Sequence, residues 1–216
     1  MRFSIGIPVL LGLILMAQSA AGTENIRPYV SADVGASFVD LSNAEDDLDD
    51  IAAEQEEEGR DTSTSINDRD IGFFIGVGLR VTAHVSVEMN YFDLGEFDAE
   101  LTVTDGNTSA AQTEKVGFSG FGPRIIGHFP VADRWTVDLA AGVARISTER
   151  DTDRIDGTSN REKSTDTVFN VGIGGRYNIT NNWAVRGMFT HFNNVGDSST
   201  GRDDVQIVTV GGVYTF

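Results

Sequence analysis

The stretch that decides the fold is the end of the chain, Thr209-Val210-Gly211-Gly212-Val213-Tyr214-Thr215-Phe216. Side chains of a β-strand point alternately to its two faces, so Tyr214 and Phe216 share a face with Val210. An apolar row that ends in two aromatic rings is typical of a strand that crosses a bilayer, because such rings favour the boundary between lipid and water. The stretch therefore predicts a membrane-crossing strand.

Rows of the same kind recur along the chain. From Ile71 to Val81, apolar residues take every second position, whereas glycine, Phe74 and Arg80 take the positions between them. This pattern, apolar outward and small or polar inward, indicates a strand with one face towards lipid. Further rows are predicted at residues 30–38, 85–91, 116–129, 135–143, 169–177, 185–189 and 208–216. Within row 116–129, Pro123 lacks an N–H group, so we expect a bulge or an edge-like irregularity there.

A repeated segment indicates how the strands are joined. Val81–Val87, Val131–Val137 and Ile179–Val185 share one form: an aliphatic residue, a small residue, two turn residues, an apolar residue, a small residue and valine. Such a repeat predicts hairpins joined by tight turns. The other connections, at about 42–70, 95–114, 149–164 and 194–203, are polar and are predicted to be long loops.

Eight rows, three tight turns and four long loops predict an all-β fold, an eight-stranded antiparallel up-and-down transmembrane β-barrel. The alternative is a water-soluble eight-stranded barrel of the lipocalin type, in which the apolar face points inward. That arrangement would place Arg80, Glu88 and Asp138 on the outer surface and leaves the aromatic end of the chain unexplained.

Tracing the chain up and down predicts two belts of aromatic rings. The belt beside the tight turns comprises Tyr29, Phe129, Trp135, Tyr177, Trp183, Tyr214 and Phe216. The belt at the opposite rim comprises Phe38, Phe73, Tyr91, Phe118, Phe169 and Phe189. Two such belts are expected where a barrel meets the two surfaces of a bilayer.

The N-terminus and the composition limit the class of protein. Arg2, an apolar run from Phe3 to Met16 and a group of small residues have the layout of a signal peptide, predicted at residues 1–22, with the barrel domain at 23–216. The chain has no cysteine, which excludes disulfides and thiolate metal sites. Its net charge of -17 argues against binding of nucleic acid.

The inward positions of the predicted strands carry charge. These residues are Asp33, Arg80, Glu88, Arg124, Asp138, Arg176 and Arg186. An eight-stranded barrel is filled by its own side chains, and an unpaired charge buried there would cost several kcal/mol, so we expect an ion-pair network. Two interpretations remain open: ion pairs that only pack the lumen, or a narrow gated path for ions through the same network.

No catalytic, cofactor-binding or metal site is predicted. A lipid-modifying barrel enzyme would need a serine two residues after His191, and that position is Asn193. In the acidic loop at 42–70, a capping box at Ser42–Glu45 predicts a short helix that ends by Gly59. The loop lacks the spacing of a calcium-binding EF-hand.

Three segments carry a family resemblance: Asn90-Tyr91-Phe92-Asp93-Leu94-Gly95, Phe129-Pro130-Val131-Ala132-Asp133-Arg134-Trp135 and Phe192-Asn193-Asn194-Val195-Gly196-Asp197. Together they resemble the transmembrane domain of the outer-membrane protein A family. The resemblance implies a barrel with a charged, plugged interior in the Gram-negative outer membrane, with a role in envelope integrity, adhesion or host contact and no catalysis.

The resemblance also implies partners. Gly211, Tyr214 and Phe216 resemble the signal that the outer-membrane assembly machinery reads. The implied partners are outer-membrane lipid, lipopolysaccharide, this machinery and a host or surface ligand at the extracellular loops, with the protein a monomer. No segment resembling a peptidoglycan-binding domain follows Phe216, which puts a tether to the cell wall in doubt.

Overall fold

The strands form one sheet that closes on itself. The computed structural model describes residues 26–39, 61–105, 108–153, 159–195 and 203–216. Its strands are β1 (Arg27–Val39), β2 (Asp61–Asn67), β3 (Arg69–Arg80), β4 (Val85–Asp105), β5 (Thr108–Pro130), β6 (Trp135–Asp153), β7 (Ser159–Asn178), β8 (Trp183–Val195) and β9 (Asp203–Thr215). The predicted signal peptide and the predicted helix of the acidic loop lie outside these residues.

Closure joins the two ends of the chain. β1 pairs antiparallel with β9 on one side and with β3 on the other, and every later strand pairs with the next. β2 and β3 are separated by Asp68 alone and both pair with β4, so they are two parts of one barrel strand. The predicted eight-stranded antiparallel barrel is therefore confirmed. No helix among the described residues is long and apolar enough to span a membrane.

The apolar rows lie on the outside. Ile71 and Phe169 are each 72% exposed, whereas the inward-pointing Glu88 and Arg186 are completely buried. Exposed side chains along β3 to β9 are predominantly aliphatic and aromatic, which is the reverse of a water-soluble barrel. The lipocalin-type alternative is thereby excluded, and the assignment of apolar residues to the outer face is confirmed.

The three repeated segments make the same turn. The backbone N–H of the first residue donates to the carbonyl four residues later in each: Val81 to Val85 at 2.9 Å, Val131 to Trp135 at 3.0 Å and Ile179 to Trp183 at 2.9 Å. All three turns lie at one end of the barrel, which we call the turn end. The prediction of tight turns from the repeat is confirmed.

The predicted long loops at 95–114 and 149–164 are wrong in their extent, because most of these residues are strand. β4 runs to Asp105 and β5 begins at Thr108, while β6 runs to Asp153 and β7 begins at Ser159. Similarly, β2 begins at Asp61, inside the predicted acidic loop. The outer parts of these strands are polar, so they lack the apolar alternation that predicts a strand.

Cross-strand ion pairs stabilise one of these polar extensions. Asp151 lies opposite Arg161 and Glu149 lies opposite Lys163 in the β6–β7 ladder. Arg161 donates from Nε to Asp151 Oδ1 at 2.5 Å and from Nη2 to Oδ2 at 2.6 Å, and Lys163 donates to Glu149. This hydrogen bonding lowers the pKa of Asp151, which lies beyond the membrane-spanning part of the strand. Opposite charges directly across a ladder favour pairing of the strands.

The ladder is interrupted at Pro123, but the shifts of register lie elsewhere. Gly122 and Pro123 are unpaired on the β6 side, which is an edge-like irregularity, and the register is the same before and after them, so no bulge forms there. The register shifts instead between Asp93 and Gly95 in the β4–β5 ladder, where Gly95 has a φ of 92°, and between Phe192 and Val195 in the β8–β9 ladder. Pro123 is accommodated because its side chain points outward on a continuous strand. Leu94 lies on the same inward face as Glu88 and is fully buried; the bulge brings Phe97, which unbroken alternation would turn outward, into the barrel, where it is 2% exposed.

Two aromatic belts lie on the outside, with two exceptions. Beside the turns, the rings of Trp135 and Tyr177 pack in a tilted arrangement with centroids 5.0 Å apart, and those of Trp183 and Tyr214 do so at 4.9 Å. Tyr29 and Phe118, which were assigned to the belts, are only 3% and 6% exposed and point inward. The reason is strand parity: Tyr29 shares a face with Asp33, and Phe118 shares a face with Arg124.

Candidate functional site: the charged lumen

A buried cluster around Arg186 occupies the middle of the lumen. The β8 strand projects Arg186 inward, where its guanidinium lies between carboxylates from β1 and β4. Arg186 donates from Nε to Asp33 Oδ1 at 3.3 Å and from Nη2 to Asp33 Oδ2. It also donates from Nη1 to Glu88 Oε2 at 3.2 Å. A single cation thus joins strands from opposite ends of the chain.

Arg124 extends the same cluster from β5. Its Nε and Nη2 both donate to Glu88 Oε1, at 3.0 and 2.5 Å, and its guanidinium carbon lies 5.7 Å from the ring centroid of Phe74. Arg124 and Arg186 therefore face the two carboxylates of Asp33 and Glu88, and the charges of these four residues balance. We call this set the middle cluster.

An apolar layer closes the lumen above the middle cluster, on the side away from the turns. The rings of Phe74 and Phe92 have centroids 5.2 Å apart, and Phe92 and Phe192 have centroids 5.0 Å apart. Buried aliphatic side chains complete the layer, among them Leu94, Ile146, Val205 and Ile207. Alternation placed Phe74 on the inward face, but this layer was not predicted, because it includes Phe97, which the bulge brings inside, and Phe118, which is inward by parity and not in the outer belt.

A second polar group lies at the turn end. Asp138 of β6 accepts at Oδ1 from His128, whose Nδ1 is 2.7 Å away, and its Oδ2 lies 2.7 Å from Arg176 Nη2. On its other side, His128 Nε2 lies 2.7 Å from the hydroxyl oxygen of Ser86. Asp138, His128 and Ser86 are all completely or almost completely buried. This group is separate from the middle cluster, which uses different carboxylates.

Ser86 and His128 were missed by the sequence analysis as members of the lumen. Their signal was present, because both lie on the inward phase of their strands, two residues from Glu88 and four residues from Arg124. Ser86, His128 and Asp138 have the order of contacts found in serine hydrolases. The Ser86 hydroxyl is fully buried and therefore not open to a substrate, so the arrangement in this structure is a hydrogen-bonded packing unit.

Arg80 is the remaining member of the predicted lumen set. It ends β3 at the turn end, is half-buried, and has no carboxylate within ion-pair distance among the described residues, although Asp138 and Arg176 are near enough to interact with it electrostatically. The structure thus places the seven predicted residues in two groups: Asp33, Glu88, Arg124 and Arg186 in the middle, and Arg80, Asp138 and Arg176 at the turn end.

Two other kinds of site were considered in the described part of the chain: a catalytic site at His191 and a metal site. His191 contacts Asp204, with Nε2 3.6 Å from Oδ2, and Asn193 is exposed. No group of three or more metal-ligating side chains suited to an ion is found among the described residues.

A closed barrel with an apolar outer surface, aromatic belts and an ion-paired lumen defines the protein as a transmembrane β-barrel. Residues 7–216 match the family described as outer membrane protein beta-barrel domain. The chain belongs to this family, and its location is the outer membrane.

Several solved structures are similar to this chain at low sequence identity. Neisserial surface protein A superposes with a TM-score of 0.53 and 15% identity, covering 88% of this chain and 97% of that one. The N-terminal β-barrel domain of Pseudomonas aeruginosa OprF gives a TM-score of 0.48 and 13% identity, covering 87% and 97%. Ail of Yersinia pestis, solved with the heparin analogue sucrose octasulfate, gives 0.45 and 12%, covering 88% and 99%. No curated protein sequence matches this chain significantly.

Proposed function

We propose that the protein is a structural barrel of the Gram-negative outer membrane, exported by its signal peptide, that has a closed lumen and makes surface contacts through its long strands. The observation that carries this proposal is the double closure of the lumen. The middle cluster and the layer around Phe92 both consist of buried side chains that several different strands contribute. The charged residues therefore act as an internal brace between strands, without catalysis or conduction.

The surface role is supported by the polar extensions at the end away from the turns. In the family layout short turns face the periplasm and the longer connections face outward, so this end lies outside the cell. There β4 pairs with β5 as far as Asp105 and Thr108, and β6 pairs with β7 as far as Asp153 and Ser159. Paired strands hold a contact surface more rigidly than free loops, which lowers the entropy cost of binding a partner.

The proposed partners follow from this position. Outer-membrane lipid and lipopolysaccharide surround the apolar outer face, and a host or surface ligand meets the polar extensions. Gly211, Tyr214 and Phe216 are proposed as the signal for the assembly machinery, and the barrel as a monomer.

The surface role can be tested by shortening the extensions without changing the register. In the β4–β5 hairpin, Asn-Gly replaces residues 100–113 and joins Ala99 to Glu114, which face each other in the ladder. In the β6–β7 hairpin, Asn-Gly replaces residues 152–160 and joins Asp151 to Arg161. We expect cells that carry the doubly shortened protein to adhere to epithelial monolayers no better than cells without the protein.

Two controls accompany this experiment. The shortened barrel must still migrate differently in a gel before and after heating, which establishes that it folds. Sensitivity of the cells to detergent must stay as in the wild type, because the brace within the lumen is intact. If cells with the shortened protein adhere as well as cells with the full-length protein, the surface role is contradicted. If cells without the protein are no more sensitive to detergent than the wild type, the structural role is contradicted.

A further inference from the structure

The two polar groups of the lumen differ in charge balance. In the middle cluster, Arg124 and Arg186 are matched by Asp33 and Glu88. At the turn end, Arg176 pairs with Asp138, whose other oxygen is already bound to His128, and Arg80 has no carboxylate within ion-pair distance among the described residues. The turn end therefore carries excess positive charge inside a chain whose net charge is -17. Excess charge of this kind in a poorly solvated site favours binding of an anion.

Arg176 has hydrogen-bonding capacity that the protein does not use. Its side chain is 2% exposed and points into the lumen. Nη2 is close to Asp138 but is not aligned for a hydrogen bond, and neither Nη2 nor Nε has a hydrogen-bond acceptor among the described residues. Arg176 also lies directly opposite Arg186 in the β7–β8 ladder. Buried donors without acceptors are costly, and like charges directly opposite each other add to that cost.

A graded path of arginines leads to this site from the turn end. Arg27 is exposed and lies opposite Arg80 in the β1–β3 ladder, Arg80 is half-buried, and Arg176 is buried. Tyr29 is near enough to both Arg80 and Arg176 to interact with them electrostatically, and its side chain fills the space above Gly78. Positive charges along an opening attract anions and raise their local concentration.

We propose that the turn end of the lumen binds a small phosphate-type oxyanion, held by Arg80 and Arg176 and assisted by Tyr29. Guanidinium groups match a tetrahedral oxyanion well, because each can donate two parallel hydrogen bonds to it. The phosphate is either a free ion or the headgroup of a lipid, since both present the same chemistry. This site is independent of the proposed surface role, because it lies at the opposite end of the barrel.

The test is calorimetric titration of the full-length mature barrel, folded in zwitterionic detergent, with inorganic phosphate at constant ionic strength. We expect saturable binding to the wild type, at least tenfold weaker binding to Arg80→Gln, and loss of binding in Arg176→Gln, since each good charge-assisted contact contributes about 1.5–3 kcal/mol. The matched control is Arg134→Gln, which removes an exposed arginine from a neighbouring turn. We expect this control to bind as the wild type does.

The possible results distinguish a specific phosphate site from nonspecific electrostatic attraction. Arg80 is half-exposed, so Arg80→Gln is expected to fold even if Arg176→Gln does not, and it keeps the test decisive. No saturable binding by the wild type, or equal weakening in Arg80→Gln and Arg134→Gln, would overturn the proposal. Competition by phosphatidylglycerol doped into the micelles identifies a lipid headgroup, and its absence identifies a free phosphate. We expect cells that carry Arg80→Gln to adhere as the wild type does, because the phosphate site and the contact surface lie at opposite ends of the barrel.

Discussion

Replacing Arg186 with methionine is expected to lower the free energy of unfolding by about 3–5 kcal/mol, the usual cost of removing one partner of a buried ion pair. Arg186 is fully buried and is the only cation among the described residues that pairs with Asp33. It is also one of the two cations that pair with Glu88. Methionine fills much of the same volume, so the loss arises from two carboxylates left without sufficient positive charge. Urea-induced unfolding from lipid vesicles, followed by tryptophan fluorescence, measures it.

Arg145→Met is the matched control for this variant, because Arg145 is exposed on β6 and the same charge is removed. We expect a change within about 0.5 kcal/mol there. Adding Asp33→Asn to Arg186→Met is expected to recover part of the lost stability, since Arg124 and Glu88 are then left as a balanced pair. If Arg186→Met lowers the free energy of unfolding no more than Arg145→Met does, the middle cluster does not brace the strands.

Gly174→Val is expected to destabilise the barrel by about 3 kcal/mol or more, at the upper end of overpacking effects. A Cβ at Gly174 would lie 2.3 Å from the backbone oxygen of Gly187 and 3.1 Å from the Cα of Met188. Backbone atoms of a closed sheet cannot move aside as a flexible side chain can, so β7 and β8 would have to separate. The fraction of refolded protein that shows altered gel mobility on heating reports the loss.

The neighbouring Gly175→Val provides the control on the same strand. A Cβ at Gly175 has no atom within 4 Å, and the residue is exposed on the lipid side. Valine also favours strands, so we expect Gly175→Val to be at least as stable as the wild type. Similar losses for the two variants would mean that the inward and outward faces of β7 are assigned incorrectly.

The sequence predicted the features that depend on period-two alternation and on repeated turns. Rows such as 71–81 identify the outward face because lipid requires an apolar side chain at every second position. The repeated segments that begin at Val81, Val131 and Ile179 predicted the turns, and each makes the same hydrogen bond from its first residue to the carbonyl four residues later. The inward phase then placed Arg186 and Glu88 in the lumen, although their pairing as one group could only be read from three-dimensional positions.

What the sequence did not predict depends on partners distant along the chain. The polar ends of β4 to β7 form strands because of the residues opposite them, such as Arg161 opposite Asp151. The bulge at Leu94 results from a register that three strands share, whereas Pro123 was tolerated at an outward position. Tyr29 was assigned to a belt for its residue type, while its parity places it beside the arginines.

A transmembrane barrel requires the exposed apolar face of the sheet to meet hydrocarbon. Trp135 and Trp183, the two tryptophans of the chain, are both exposed on the outer face beside the turns, which makes them intrinsic probes. The most direct measurement is their fluorescence in vesicles whose lipids carry bromine at defined depths. We expect strong quenching by bromine close to the headgroups and weaker quenching by bromine at the midplane. Fluorescence that no brominated lipid quenches would place these rings in water or in a protein core and would rule out a lipid-facing outer surface.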